Sequence, residues 1–160
     1  MEIKVFVDIK TRLGEVPTWD PIRQSLFWVD IVDGRLFCCD ENGANLKAWE
    51  TYQKIGSYAL REHHNGAIVA LEDGVYSLDF DTGDLNLIVN PEPDMPFNRL
   101  NDGGVDRQGR FVFGSMNRLE EAKTASLYRL NTDLSIQKLE DNINTSNGVC
   151  WSPRGDKFYF

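Results

Sequence analysis

The amino-acid sequence predicts an all-β protein of the propeller class, built from four-stranded antiparallel blades. Three observations carry that expectation. Helical periodicity is nearly absent, short runs of aromatic and β-branched residues alternate with turn clusters, and a hairpin-like segment recurs along the 160 residues.

The candidate strands are Ile3–Asp8, Leu26–Ile31, Arg35–Asp40, Ala67–Leu71, Gly74–Asp79, Phe111–Met116, Ser126–Asn131 and Lys157–Phe160. Between them stand Asp33-Gly34, Asn42-Gly43, Asp73-Gly74 and Thr82-Gly83. Such pairs supply the positive φ that tight hairpins require.

Four segments align with one another: Trp19–Trp28, Arg61–Ala70, Val105–Gly114 and Trp151–Phe160. Each reads as a strand end, a turn and an apolar strand, with Gly66, Gly109 and Gly155 in three of the turns. The separations are roughly 43 and 46 residues, the period of a propeller blade. A second amphipathic strand follows the first three: Gly34-Arg-Leu-Phe, Gly74-Val-Tyr-Ser-Leu and Ser126-Leu-Tyr-Arg-Leu. At about 45 residues per blade the chain covers three to four blades. Closing a ring, which removes exposed strand edges, takes more. Residues 1–160 are therefore expected to be the N-terminal part of one propeller domain in a longer protein.

The composition is 41% hydrophobic and 26% charged, with a formal net charge of -8. That balance argues against nucleic acid and against anionic membrane surfaces as partners, since both need clustered Lys and Arg. No apolar run approaches the roughly 20 residues that span a bilayer. Met1–Arg12 lacks the apolar stretch of a secretory signal. Three cysteines, Cys38, Cys39 and Cys150, form no disulfide framework. They are expected to be buried, reduced thiols of a cytoplasmic protein. Cys38 and Cys39 are not expected to share a metal, because strand neighbours point to opposite faces.

Three polar clusters could carry chemistry. Leu13-Gly-Glu-Val-Pro-Thr-Trp-Asp sets the Glu15 carboxylate beside a proline. Asn98-Arg-Leu-Asn-Asp-Gly-Gly-Val-Asp gathers Arg99, Asn101 and Asp102. Thr145-Ser-Asn-Gly-Val-Cys-Trp-Ser-Pro presents Asn147. Taken singly, each is an ordinary surface turn. Together they recur just before the first strand of a repeat, and in a propeller those places converge on one end of the central channel. A carboxylate and amide oxygens there suit a hard cation such as Ca²⁺ or Mg²⁺ and could also accept Zn²⁺. His63 and His64, the only histidines, stand beside Asn65-Gly66 in a turn and suggest no Ser-His-Asp triad.

The same three stretches, with Phe113-Gly-Ser-Met, resemble the motifs of the gluconolactonase, regucalcin (senescence marker protein) and luciferin-regenerating enzyme family, in order and in register from Leu13 onward. The resemblance implies a six-bladed propeller with one divalent cation (calcium, zinc, magnesium or manganese) in its channel and a small sugar lactone as substrate. It implies metal ligation by Glu15 and Asn147 and substrate contact by Arg99 and Asn101, with Glu120 as a possible further acidic contact. The family's remaining metal-ligating Asp, its candidate general base, would lie beyond residue 160. Val16 departs from the glycine the family carries at that place. The alternatives are a non-catalytic calcium-binding regulatory propeller and a propeller that serves as an interaction scaffold.

Overall fold

The computed structural model describes residues 2–160 and contains strands and turns, with no helix among them. The chain divides into two compact units, the first running to Lys54 and the second spanning Ile55–Phe160. The first holds one antiparallel meander of β1 (Gly14–Asp20), β2 (Ser25–Asp30), β3 (Arg35–Asp40) and β4 (Lys47–Glu50), paired in chain order. The second holds two more such meanders. One is β5 (Ile55–Leu60), β6 (Gly66–Leu71), β7 (Val75–Asp79) and β8 (Leu85–Val89). The other is β9 (Asn98–Val105), β10 (Phe111–Asn117), β11 (Ala125–Leu130) and β12 (Ile136–Ile143). A short hairpin, β13 (Cys150–Trp151) with β14 (Phe158–Tyr159), ends the described chain.

The aligned segments are the hairpins that join first and second strands. In two of them an aspartate makes the turn. Asp20 Oδ1 accepts the N–H groups of Ile22 and Arg23 at 2.8 and 3.2 Å, while its Oδ2 meets Arg23 Nη1 at 2.6 Å. Asp106 repeats the device with Gln108, Arg110 and the Arg110 guanidinium. Burial pushes both carboxyls up, but the arginine and the backbone N–H groups outweigh it and hold both below the usual carboxylate value.

In the second unit a buried cluster draws on both meanders: Ala59, Ala70 and Val75 from one, Leu100, Phe111, Phe113, Tyr128 and Leu130 from the other. Strands β5 and β9 abut so closely that Ser57 Oγ donates to the Asn101 carbonyl at 2.8 Å. A Cβ on Gly56 would lie 2.5 to 2.8 Å from the backbone of Asn101.

Two expectations are corrected. Ile3–Asp8 is not a strand: the segment is irregular with a bend at Phe6 and Val7, and Ile3 and Val5 are exposed. Alternating apolar residues suit a ladder, but a strand exists only where a neighbour accepts its hydrogen bonds. Cys150 is exposed, whereas Cys38 and Cys39 are buried as expected.

Candidate functional site

Each first strand of a meander carries an irregularity against its second strand. On β1 the pairing jumps from Glu15–Val29 to Thr18–Phe27, on β5 from Ile55–Leu71 to Ser57–Ala70, and on β9 from Leu100–Ser115 to Gly103–Phe113. In all three the first strand has one residue more than its partner, the signature of a β-bulge. The extra residues fall at Val16-Pro17, Gly56 and Asn101-Asp102. Neighbours on a regular strand point to opposite faces. A bulge breaks that alternation and re-aims side chains.

The β9 bulge has a clear result. Asn101 and Asp102, adjacent in sequence, both reach the segment that carries Asn147. Asn101 Nδ2 donates to the Ser146 carbonyl at 2.9 Å, and Asp102 Oδ2 accepts the Gly148 N–H at 2.7 Å. The other Asp102 oxygen accepts the Gly103 N–H at 2.8 Å. From the β10 side, the Ser115 carbonyl accepts the Ser146 N–H at 3.0 Å, and Thr145 bridges to Met116. Ser146 itself is buried and presses on Gly114, where a Cβ would overlap its side chain. Gly148 has φ 75, the left-handed conformation that favours glycine. Asn147 is left exposed between two anchored neighbours.

Arg99 is half-buried at the start of β9 and donates from Nη1 to the Leu100 carbonyl at 2.9 Å. Burial holds its guanidinium below the ordinary arginine value, with Glu72 opposing and Arg118 adding to the effect. Glu72 is also paired with Arg118 at 3.2 Å. Glu120 stands in the exposed β10–β11 connection at φ 57. Sequence reasoning missed Glu92. Its carboxylate accepts from Ser115 Oγ at 2.7 Å, Tyr128 Oη at 3.0 Å and Asn98 Nδ2 at 2.9 Å, tying the loop before β9 to three strands. A Pro-rich run around a lone glutamate, Asn90-Pro-Glu-Pro-Asp, was the only signal.

In the first unit, Glu15 is exposed near the start of β1. Asp30, almost fully buried, anchors the approach by accepting the N–H groups of Arg12 and Leu13 at 2.8 and 3.2 Å. Val16, the residue after Glu15, has φ 52. A β-branched residue in the left-handed region is strained by about 1–3 kcal/mol, and a glycine avoids that cost. Val16→Gly is therefore expected to raise stability by roughly 1 kcal/mol after the greater backbone entropy of glycine is subtracted. A shift of the urea midpoint to higher concentration checks this. A shift to lower concentration would mean that the packing of the valine outweighs its strain.

The donors fit a hard divalent cation in kind. Glu15 offers carboxylate oxygens and Asn147 an amide oxygen, the ligand types that Ca²⁺ and Mg²⁺ take. Both side chains are exposed, and beside Asn147 the buried Ser146 Oγ has no hydrogen-bond partner among the described residues. Among those residues no three or more His, Cys, Asp or Glu side chains cluster as a metal site, so carboxylates alone do not supply one.

Comparison with known proteins decides the lineage. Residues 13–160 match the SMP-30/gluconolactonase/LRE-like region. The chain belongs to this family. Its SMP-30/gluconolactonase relatives include an L-arabinolactonase from Azospirillum brasilense, 34% identical over 98% of this chain and 53% of the relative. A regucalcin from Xenopus laevis is 29% identical over the whole chain and 55% of the relative. Among solved structures, a luciferin-regenerating enzyme superposes with a TM-score of 0.86 at 29% identity, covering 94% of this chain and 52% of that one. A calcium-binding regucalcin from Agrobacterium tumefaciens gives 0.85 at 28% identity, with 94% and 50% covered. The chain thus spans about half the length of the curated relatives it matches.

Proposed function

We propose that the protein carrying this chain hydrolyses a small sugar lactone with the help of one divalent cation, and that residues 1–160 supply the N-terminal blades of its six-bladed propeller. The observation that carries the site assignment is the anchoring of the backbone on either side of Asn147 by Asn101 and Asp102, with the Asn147 side chain exposed between them. The names of the relatives, an L-arabinolactonase and a 6-deoxy-6-sulfogluconolactonase at 34% identity each, supply the substrate class.

In this reading Glu15 and Asn147 hold the cation, which when bound polarises the lactone carbonyl and stabilises the oxyanion formed as water attacks. Arg99 donates hydrogen bonds to the lactone's hydroxyls or ring oxygen. Its partial burial strengthens those bonds, because competing water is reduced. Asn101 gives one of its two side-chain N–H groups to the Ser146 carbonyl, so the second N–H and Oδ1 are the groups left for the substrate. Glu120 would accept a further hydroxyl from the loop after β10. An Asp outside these residues would take the proton of the attacking water. Water adds to the carbonyl carbon, the ring C–O bond breaks, and the product is the open hydroxy acid.

Lactone opening releases acid and can be followed by pH indicator in protein stripped with chelator and then reloaded. Loss of hydrolysis on stripping and recovery on reloading are expected. Undiminished hydrolysis in stripped protein would overturn the metal-dependent reading. A second reading, a calcium-binding protein without catalysis, draws on the regucalcin relatives and the calcium-binding regucalcin structure. Cation binding without lactone hydrolysis would favour it.

A further inference from the structure

We infer that Asp102 is a positioning residue for Asn147: one of its carboxylate oxygens holds the Gly148 N–H, fixing from the C-terminal side the peptide whose N-terminal side Asn101 fixes through the Ser146 carbonyl. The inference rests on the reading of Asn147 as a cation ligand and says what keeps that ligand in place.

The geometry makes Asp102 the critical half of this clamp. The 144–149 segment lies outside the strands except for one bridge at Thr145, so no regular ladder immobilises it. Residues before Asn147 have several anchors: the Thr145 bridge, the Ser146 N–H on Ser115, and the Ser146 carbonyl on Asn101. After Asn147, a 2.7 Å bond from the Gly148 N–H to Asp102 ties the backbone before β13 begins. Gly148 is also the residue with most freedom to swing, since glycine visits both signs of φ readily. A charge-assisted bond to a carboxylate is about twice as strong as a neutral one, which suits a tie on a residue as conformationally free as glycine.

Asp102 reaches this position only because of the β9 bulge. On a regular strand it would point away from Asn101, and one of the two could not meet the 146–148 segment. Both its oxygens carry a backbone N–H bond, one from Gly148 and one from Gly103, so its orientation is determined on each side. That is the arrangement expected of a residue that orients a ligand rather than one that ligates. Loss of a group that orients a metal ligand typically weakens metal binding by about 10–100-fold.

The test compares wild type, Asp102→Ala and Asp102→Asn in the protein that carries this chain. Calcium and manganese affinities are measured by titration, and amide hydrogen exchange at Gly148 is measured without metal. Asp102→Ala is expected to accelerate Gly148 exchange and weaken cation binding about 10–100-fold. Asp102→Asn keeps an acceptor oxygen and the shape, so it is expected to fold as wild type and to lose less affinity. Wild-type affinity in Asp102→Ala with a rapidly exchanging Gly148 amide would overturn the positioning role while leaving the ligand assignment standing. Weakened binding with Gly148 still protected would also overturn it, because Asp102 would then act on the cation directly. No cation binding by wild type, with Gly148 exchange still dependent on Asp102, would overturn the ligand reading and this role with it.

Discussion

Glu15→Gln and Asn147→Ala, each made in the protein that carries this chain, are expected to lower lactone hydrolysis by about 10²–10³-fold, the loss typical of removing one preorganised electrostatic stabiliser. The two substitutions act differently. Glu15→Gln removes a negative charge and keeps the shape, so cation affinity falls while an oxygen remains available. Asn147→Ala removes the oxygen altogether. Both side chains are exposed and lie outside the buried cores, so thermal stability without metal is expected to move little. The checking measurement is paired: cation affinity by titration and turnover at saturating cation. Raising the cation concentration is expected to recover much of the activity of Glu15→Gln and little of that of Asn147→Ala. Full activity in Glu15→Gln at low cation concentration would remove Glu15 from the site.

The second large effect concerns Gly56, which no chemistry marks. A Cβ there would meet the Asn101 carbonyl oxygen, Cα and carbonyl carbon at 2.5, 2.7 and 2.8 Å. These are backbone atoms of a strand hydrogen-bonded to its neighbour, so they cannot rotate away as a side-chain tip would. Overpacking a tight contact costs about 1–3 kcal/mol, and this one is expected at the upper end. Gly56→Ala should lower the melting temperature by roughly 6–12 °C, taking 2–4 °C per kcal/mol for a chain of this size. Any folded fraction should have β9 displaced at Asn101 and a raised KM for the lactone. Gly83→Ala is a useful contrast. That position has φ 80 but nothing within 4 Å of the added carbon, so only backbone strain of roughly 1–2 kcal/mol is expected. Equal melting temperatures for the two variants would show that the β5–β9 approach is softer than it looks.

Middle strands were legible in the sequence because they are covered on both faces. Arg35–Asp40 was read with its observed bounds as β3, and β6, β7, β10 and β11 were read to within a residue at each end. First and last strands were not. β9 is Asn-Arg-Leu-Asn-Asp-Gly-Gly-Val, a run whose polar residues and glycines look like a loop because the strand bears the candidate site. β5 contains Gly56 for reasons of close approach, which propensity counts against a strand. β12 is exposed along nearly its whole length, so Gln137, Lys138, Glu140 and Asp141 carry no alternation. The candidate site residues came from motifs and resemblance. The bulge that turns Asn101 and Asp102 toward one loop could not be read, since it is a property of pairing register between two strands rather than of either sequence.

The strand that holds the candidate ligand loop is also packed tightly by its neighbours. Gly56 leaves no room behind Asn101, Gly103 lies against Phe113 and Ser57, and Gly104 lies against Trp151. If the proposed lactonase reading holds, β9 is a poor place to diversify substrate preference. Substitutions there would be filtered first by whether the chain folds. The freer ground is the exposed connection from Leu119 to Lys123, where a library could vary size and charge while leaving the Arg118–Glu72 pair intact.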